Sequence, residues 1–139
     1  MAEESTSADV AELARRAAEP ANSGDFEAVM RFWAPNAVWD LSPMGLGIYE
    51  GDAIRAFFED WMGAYDEFQI AVEDVHDLGN GVALAEVVQT ARPTGSTGSV
   101  QIRYAAVSIW ANGLIERNIN YSDVDEARAA AERLAEERG

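Results

Sequence analysis

One helix, loaded with rings on a single face, constrains this chain more than any other feature. From Gly51-Asp52 onward, Ile54, Phe57, Phe58, Trp61, Met62 and Tyr65 recur at i, i+3, i+4, i+7, i+8 and i+11. That spacing puts them on one side of a helix. A face so rich in aromatic side chains either fills a core or lines a cavity. The residues before it are consistent with that start. Ala34-Pro35-Asn36 stops an earlier helix, because Pro removes a donor and clashes with the turn before it. Ala37 to Leu41 is a β-favouring run with the bulky Val38 and Trp39. Ser42 to Gly47 is turn chemistry, and Asp52 places an acid in the first turn of the helix.

After Asp66 the pattern becomes β. The runs Phe68–Leu78, Val82–Arg92, Val100–Ala111 and Leu114–Ser122 are separated by short polar loops. Two of these loops carry Asn-Gly, at Asn80-Gly81 and Asn112-Gly113, a strong hairpin signal because both residues tolerate positive φ. The spacing predicts an antiparallel meander. Upstream, a helix is expected from Ala8 to about Ala21, then a short one, DFEAVMRFW, opening at Asp25. Downstream, Asp123 with Glu126 makes a capping-box-like start to a helix over 123–138. Residues 1–7 are polar and expected to be disordered. The expectation is one α+β domain over residues 1–139, its curved antiparallel sheet wrapped around the N-terminal helices, with an extra C-terminal helix.

Composition removes several function classes. The 139 residues can bury a real core without staples. There is no Cys and no Lys, and His76 is the single His. Disulfides, thiolate chemistry, Schiff-base catalysis and multi-His metal sites are excluded. The net charge of −15 argues against nucleic acid and anionic membranes. No apolar run approaches the roughly 20 residues that span a bilayer. The acidic N-terminus does not read as a signal peptide, so a cytoplasmic location is expected. Glu73, Asp74 and Asp77 lack the spacing and glycine of a calcium loop and read as a solvated edge. His76, beside them, reads as a surface histidine. No metal and no cofactor are expected.

The chain resembles the SnoaL-like branch of the nuclear transport factor 2-like superfamily. The resemblance rests on Ser23-Gly24-Asp25-Phe26, on Phe32-Trp33-Ala34-Pro35-Asn36-Ala37-Val38-Trp39-Asp40, and on Tyr49-Glu50-Gly51 with Ile54, Arg55 and Phe57. Asn112-Gly113-Leu114-Ile115, Tyr121 and Asp123 complete it. It implies a cone-shaped α+β barrel with a pocket at the open end, often dimeric through the sheet. It implies little about activity, since enzymes and non-catalytic binders share this fold. The three positions that ketosteroid isomerases use would fall at Ala17, Leu41 and Ala105, which excludes that machinery. Limonene epoxide hydrolases would place an Arg and an Asp at Arg103 and Ala105; the Arg matches and the Asp does not.

Face assignment gives the candidate site. An ungapped Asn112-Gly113 turn pairs Val107 with Asn118 and Ala105 with Asn120, and the isomerase-like alignment turns Ala105 inward. The expected pocket face is then Gln89, Arg103, Val107, Asn118 and Asn120, with Trp39, Phe57, Phe58 and Trp61 as an apolar wall. Arg103 and Asp40 are the candidate catalytic groups. Asp40 reaches the pocket only if its strand ends in a bulge; otherwise it caps the Ser42–Gly47 turn. Leu84, Val88, Tyr104, Trp110, Ile115, Ile119 and Tyr121 form an outer face too apolar for solvent, which predicts a homodimer. Two functions follow. Either a small apolar, polycyclic or polyketide-like molecule is bound and isomerised, cyclised or hydrated without a cofactor, or the domain only binds a ligand or dimerises.

Overall fold

The computed structural model describes residues 2–139, with side chains from Val10 onward. The expected disordered segment, residues 1–7, therefore lies outside the described side chains. Helix α1 (Ala2–Ser23) contains Pro20 and ends where Gly24 takes φ +73°. Helix α2 (Phe26–Met30) is capped by Asp25, whose carboxylate accepts from the Ala28 N–H at 3.1 Å. It ends earlier than expected, so Trp33 begins β1 (Trp33–Asp40) and is buried in the core. A 3₁₀ turn over Ser42–Met44 leads into β2 (Ile48–Glu50), a short strand that the turn-like sequence concealed. Helix α3 (Asp52–Gly63) starts after Gly51, which adopts φ +54°.

The meander follows as β3 (Tyr65–Gly79), β4 (Val82–Pro93), β5 (Val100–Ala111) and β6 (Leu114–Tyr121), closed by α4 (Val124–Arg138). Asn80 and Asn112 take φ of 56° and 54°, each followed by a glycine near +80°, as two-residue hairpin turns require. At Gly81 a Cβ would stand 2.6 Å from the Trp110 carbonyl oxygen, so the turn also needs the missing side chain. The six strands form one sheet in the order β2-β1-β6-β5-β4-β3. Every pairing is antiparallel except β1 with β6. Helices α1, α2 and α3 fill the concave side, where Val10, Val29, Ile54 and Phe58 join Trp33, Trp39 and Trp110 in one core.

The β5–β6 hairpin corrects the sequence register. Ala111 opposes Leu114 and Trp110 opposes Ile115, but Ile109 then opposes Arg117, which leaves Glu116 as a bulge. Ser108 thus opposes Asn118, and Ala106 opposes Asn120. One extra residue shifts the pairing and swaps the face that β5 presents. Tyr104, Ala106, Ser108 and Trp110 point into the cone, whereas Arg103, Ala105, Val107 and Ile109 face outward.

Helix α4 covers that outer face. Ala127, Ala131 and Ala135 pack on Val82, Leu84, Ala105, Val107 and Ile109. Five of the seven residues assigned to a homodimer face from sequence are accounted for differently. Tyr104, Trp110 and Ile115 belong to the cone, Leu84 lies beneath α4, and Tyr121 packs beside it.

Candidate functional site

A cavity of about 120 Å³ lies between the concave sheet and the helices. Its walls come from both the sheet and the helices of the concave side. Helix α1 supplies Ala14, Ala17, Ala18 and Ala21, small side chains that leave the space open. Trp33 and Trp39 come from β1, Phe58 and Trp61 from α3, and Tyr104, Ser108 and Trp110 from β5. Asn118 and Asn120 of β6 complete the polar part. The ring stripe of α3 therefore does both of the things its sequence allowed: it packs the core and walls a cavity.

Trp39 is the hub of the aromatic wall. Its ring lies 4.5 Å from Phe58, 5.3 Å from Phe57, 5.6 Å from Trp33 and 6.1 Å from Trp61, centroid to centroid. These are the tilted and edge-on contacts that ring quadrupoles favour. Phe57 stands behind the lining, stacked on Tyr49 at 4.3 Å. The indole N–H of Trp39 donates to Asn120 Oδ1 at 3.2 Å. Asn118 Nδ2 donates to the same Asn120 oxygen at 3.0 Å. The two amides and the indole form one buried network on the cavity wall. Trp110 Nε1 donates to Ser108 Oγ at 2.7 Å, which leaves the serine O–H able to donate.

Tyr104 is different. It is 5% exposed and lines the cavity. Burial pushes its pKa up, so the phenol stays protonated and can donate. It is also the one ionisable side chain in the lining, among the described residues.

Of the expected site residues, Trp39, Phe58, Trp61, Asn118 and Asn120 do meet at the cavity. Gln89 is buried on the concave side, beyond the lining, with Oε1 unpartnered. Arg103, Val107 and Asp40 are placed outside. Val107 lies beneath α4. Arg103 is exposed and paired with Glu73. Asp40 sits at the β1 end, where its carboxylate accepts from the N–H and Oγ of Ser42 at 2.9 and 2.6 Å. It caps the turn and faces Arg117 at 3.7 Å. The bulge at Glu116 decides the placement of Arg103 and Val107, and Asp40 points away from the cone by alternation with the inward Trp39. Tyr104, Ser108 and Trp110 were missed because of the same bulge. A register that paired the two asparagines with β5 side chains able to share a wet cavity would have pointed to them.

The fold and its concave pocket define a cone-shaped α+β domain of nuclear transport factor 2-like type. The family model of the SnoaL-like domain matches residues 14–118, and the chain belongs to that family. Among solved structures, Bal32a from a soil-derived mobile gene cassette is 22% identical, with a TM-score of 0.73, over 90% of this chain and 97% of its own. An epoxide hydrolase of M. tuberculosis, of the limonene epoxide hydrolase-like kind, is 15% identical, with a TM-score of 0.70, over 91% of each chain. AclR, a putative hydroxylase from Streptomyces galilaeus, is 15% identical, with a TM-score of 0.68, over 81% of this chain and 87% of its own. At such identities the likeness is one of fold. Among curated proteins none matches.

Proposed function

We propose that this protein binds a small neutral molecule in the cone, its apolar body against Trp39, Phe58 and Trp61. A hydrogen-bond acceptor on the ligand meets the Tyr104 hydroxyl. The observation that carries this reading is an aromatic cavity whose lining holds one protonated phenol, Tyr104. A ligand acceptor that meets its hydroxyl gains a hydrogen bond inside the cavity. A charged ligand would find no counter-ion in the lining and would lose its hydration. The space of about 120 Å³ is of the order of the roughly 150 Å³ cavity that takes up benzene, so a single ring or a short chain fits within it. The pocket is partly open, so a polycyclic molecule, as expected from sequence, would extend out of it. Binding is favoured over acid–base catalysis, because no carboxylate, His or Arg lines the cavity among the described residues. The neighbours named for hydrolysis and hydroxylation belong to the same fold, which hosts many chemistries.

The same proposal retains a cytoplasmic location. Among the described residues no helix is long and apolar enough to cross a membrane. A homodimer would use outer surface other than the residues now under α4.

The test compares benzaldehyde, benzoate and benzylamine by calorimetry and thermal shift. Benzaldehyde is expected to bind and the two ions not to. Tyr104→Phe is expected to weaken benzaldehyde binding by about 2–10-fold, the worth of one neutral hydrogen bond, with the melting temperature unchanged. Equal binding of benzoate, or an unchanged affinity in Tyr104→Phe, would refute the assignment.

A further inference from the structure

On the convex side, away from the cavity, three side chains of two kinds converge. The β3–β4 register sets Asp74 opposite Glu86, and His76 follows Asp74 by two residues, opposite Leu84. All three therefore share one face of the sheet. His76 Nε2 lies 3.3 Å from Asp74 Oδ2 and 3.5 Å from Glu86 Oε2. One ligand atom from each residue lies within 4.8 Å of the other two. Nε2 itself is closed to solvent and has no hydrogen-bond partner, although the ring edge around it is partly exposed.

Both contacts are longer than the roughly 2.7–2.9 Å of an optimal charge-assisted N–H···O bond and within reach of an ion pair with a protonated imidazole. Two ligand atoms bonded at about 2.0–2.1 Å to a tetrahedral cation stand about 3.3–3.4 Å apart. The imidazole nitrogen is spaced from its two carboxylates as ligands of a shared ion are. It is also the group that such an ion would satisfy.

We propose that Asp74, His76 and Glu86 form a surface site for a divalent transition metal, with Zn²⁺ as the best fit. An imidazole beside carboxylates selects Zn²⁺ over Ca²⁺ and Mg²⁺, which prefer oxygen ligands alone. His76 binds through Nε2 and keeps its proton on Nδ1. The exposed side of Asp74 leaves a coordination position to water. Arg103, two residues along β5 from the partner of Glu86, is held by Glu73. The net charge of −15 raises the local concentration of cations. Two of the ligands are visible in the sequence as Asp74-Val75-His76, but Glu86 joins them only through strand pairing.

The test uses the full chain without a histidine tag, stripped with chelator and titrated with ZnCl₂. Calorimetry and the imidazole resonances are followed together. One histidine makes the imidazole signal unambiguous. The expected result is one saturable equivalent that shifts the His76 signal and raises the melting temperature. MgCl₂ and CaCl₂ should do neither. His76→Gln should abolish the shift in melting temperature, and Glu86→Gln should weaken binding by about tenfold or more. Binding of several equivalents without movement of the imidazole signal would mean diffuse attraction to surface carboxylates and overturn the site. So would unchanged affinity in a folded His76→Gln variant, or no binding at millimolar zinc. Should a variant fail to fold, the imidazole titration of the unaltered chain decides alone.

Discussion

Asp40 accepts two hydrogen bonds from Ser42 and faces the guanidinium of Arg117. Burial works to raise its pKa, but the Ser42 bonds and the Arg117 charge outweigh that and hold the carboxyl below its ordinary value. A depressed carboxylate stabilises the fold above its unfolded pKa, and that contribution is lost as pH falls through the folded one. Asp40→Asn keeps a side-chain oxygen for the turn and removes only the charge. The stability difference between the two proteins, read by urea unfolding, is expected to be constant from about pH 8 to about pH 5. It should shrink below about pH 4, the ordinary range of an aspartate. A difference that stays constant into strong acid would show that the charge contributes nothing. Ligand binding in the cone is expected to be the same in both, since Asp40 stands outside it.

Helix α4 has little apolar surface of its own, and its buried positions are Ala127, Ala131 and Ala135. Small side chains let it lie close to β5, but each buries little area, so its ends matter. Asp123 accepts from the N–H groups of Asp125 and Glu126 at 2.8 and 3.2 Å. At the other end, Asn80 Nδ2 donates to the Ala135 carbonyl at 2.6 Å, and Arg138 Nε donates to the Asn80 carbonyl at 2.8 Å. The first Asn-Gly turn thus serves as both a hairpin and an anchor for α4. Asp123→Ala is expected to cost about 0.5–2 kcal/mol in denaturant unfolding, the usual worth of an N-cap. A loss below the error of the measurement would mean that the C-terminal anchor alone holds the helix.

In the whole molecule, the two faces of one sheet have different owners. The concave side belongs to α1–α3 and the cavity, and the convex side to α4. Removing residues 124–139 would expose Leu84, Val107 and Ile109 together, an apolar patch of the kind that drives association. Light scattering at equal micromolar concentration is expected to give a larger mass for the shortened chain than for the full one. Equal masses would mean that α4 is not what protects this face.

The α+β class, the ring stripe of α3, the two Asn-Gly hairpins and the capped start of α4 were all legible in the sequence. Each rests on interactions within a few residues: helical spacing, positive φ at Asn80 and Asn112, one carboxylate at a helix N-terminus. The aromatic half of the cavity was legible too, because Trp39, Phe58 and Trp61 are bulky wherever they pack. The polar half was not. Whether Tyr104 or Arg103 enters the cone depends on a single bulged residue, Glu116, and alternation then carries that choice along the whole of β5. The meeting of Glu86 with His76 depends likewise on how β3 pairs with β4. Local preferences set which elements form. Register, set by the balance of packing on both faces of the sheet, decided which side chains share a site.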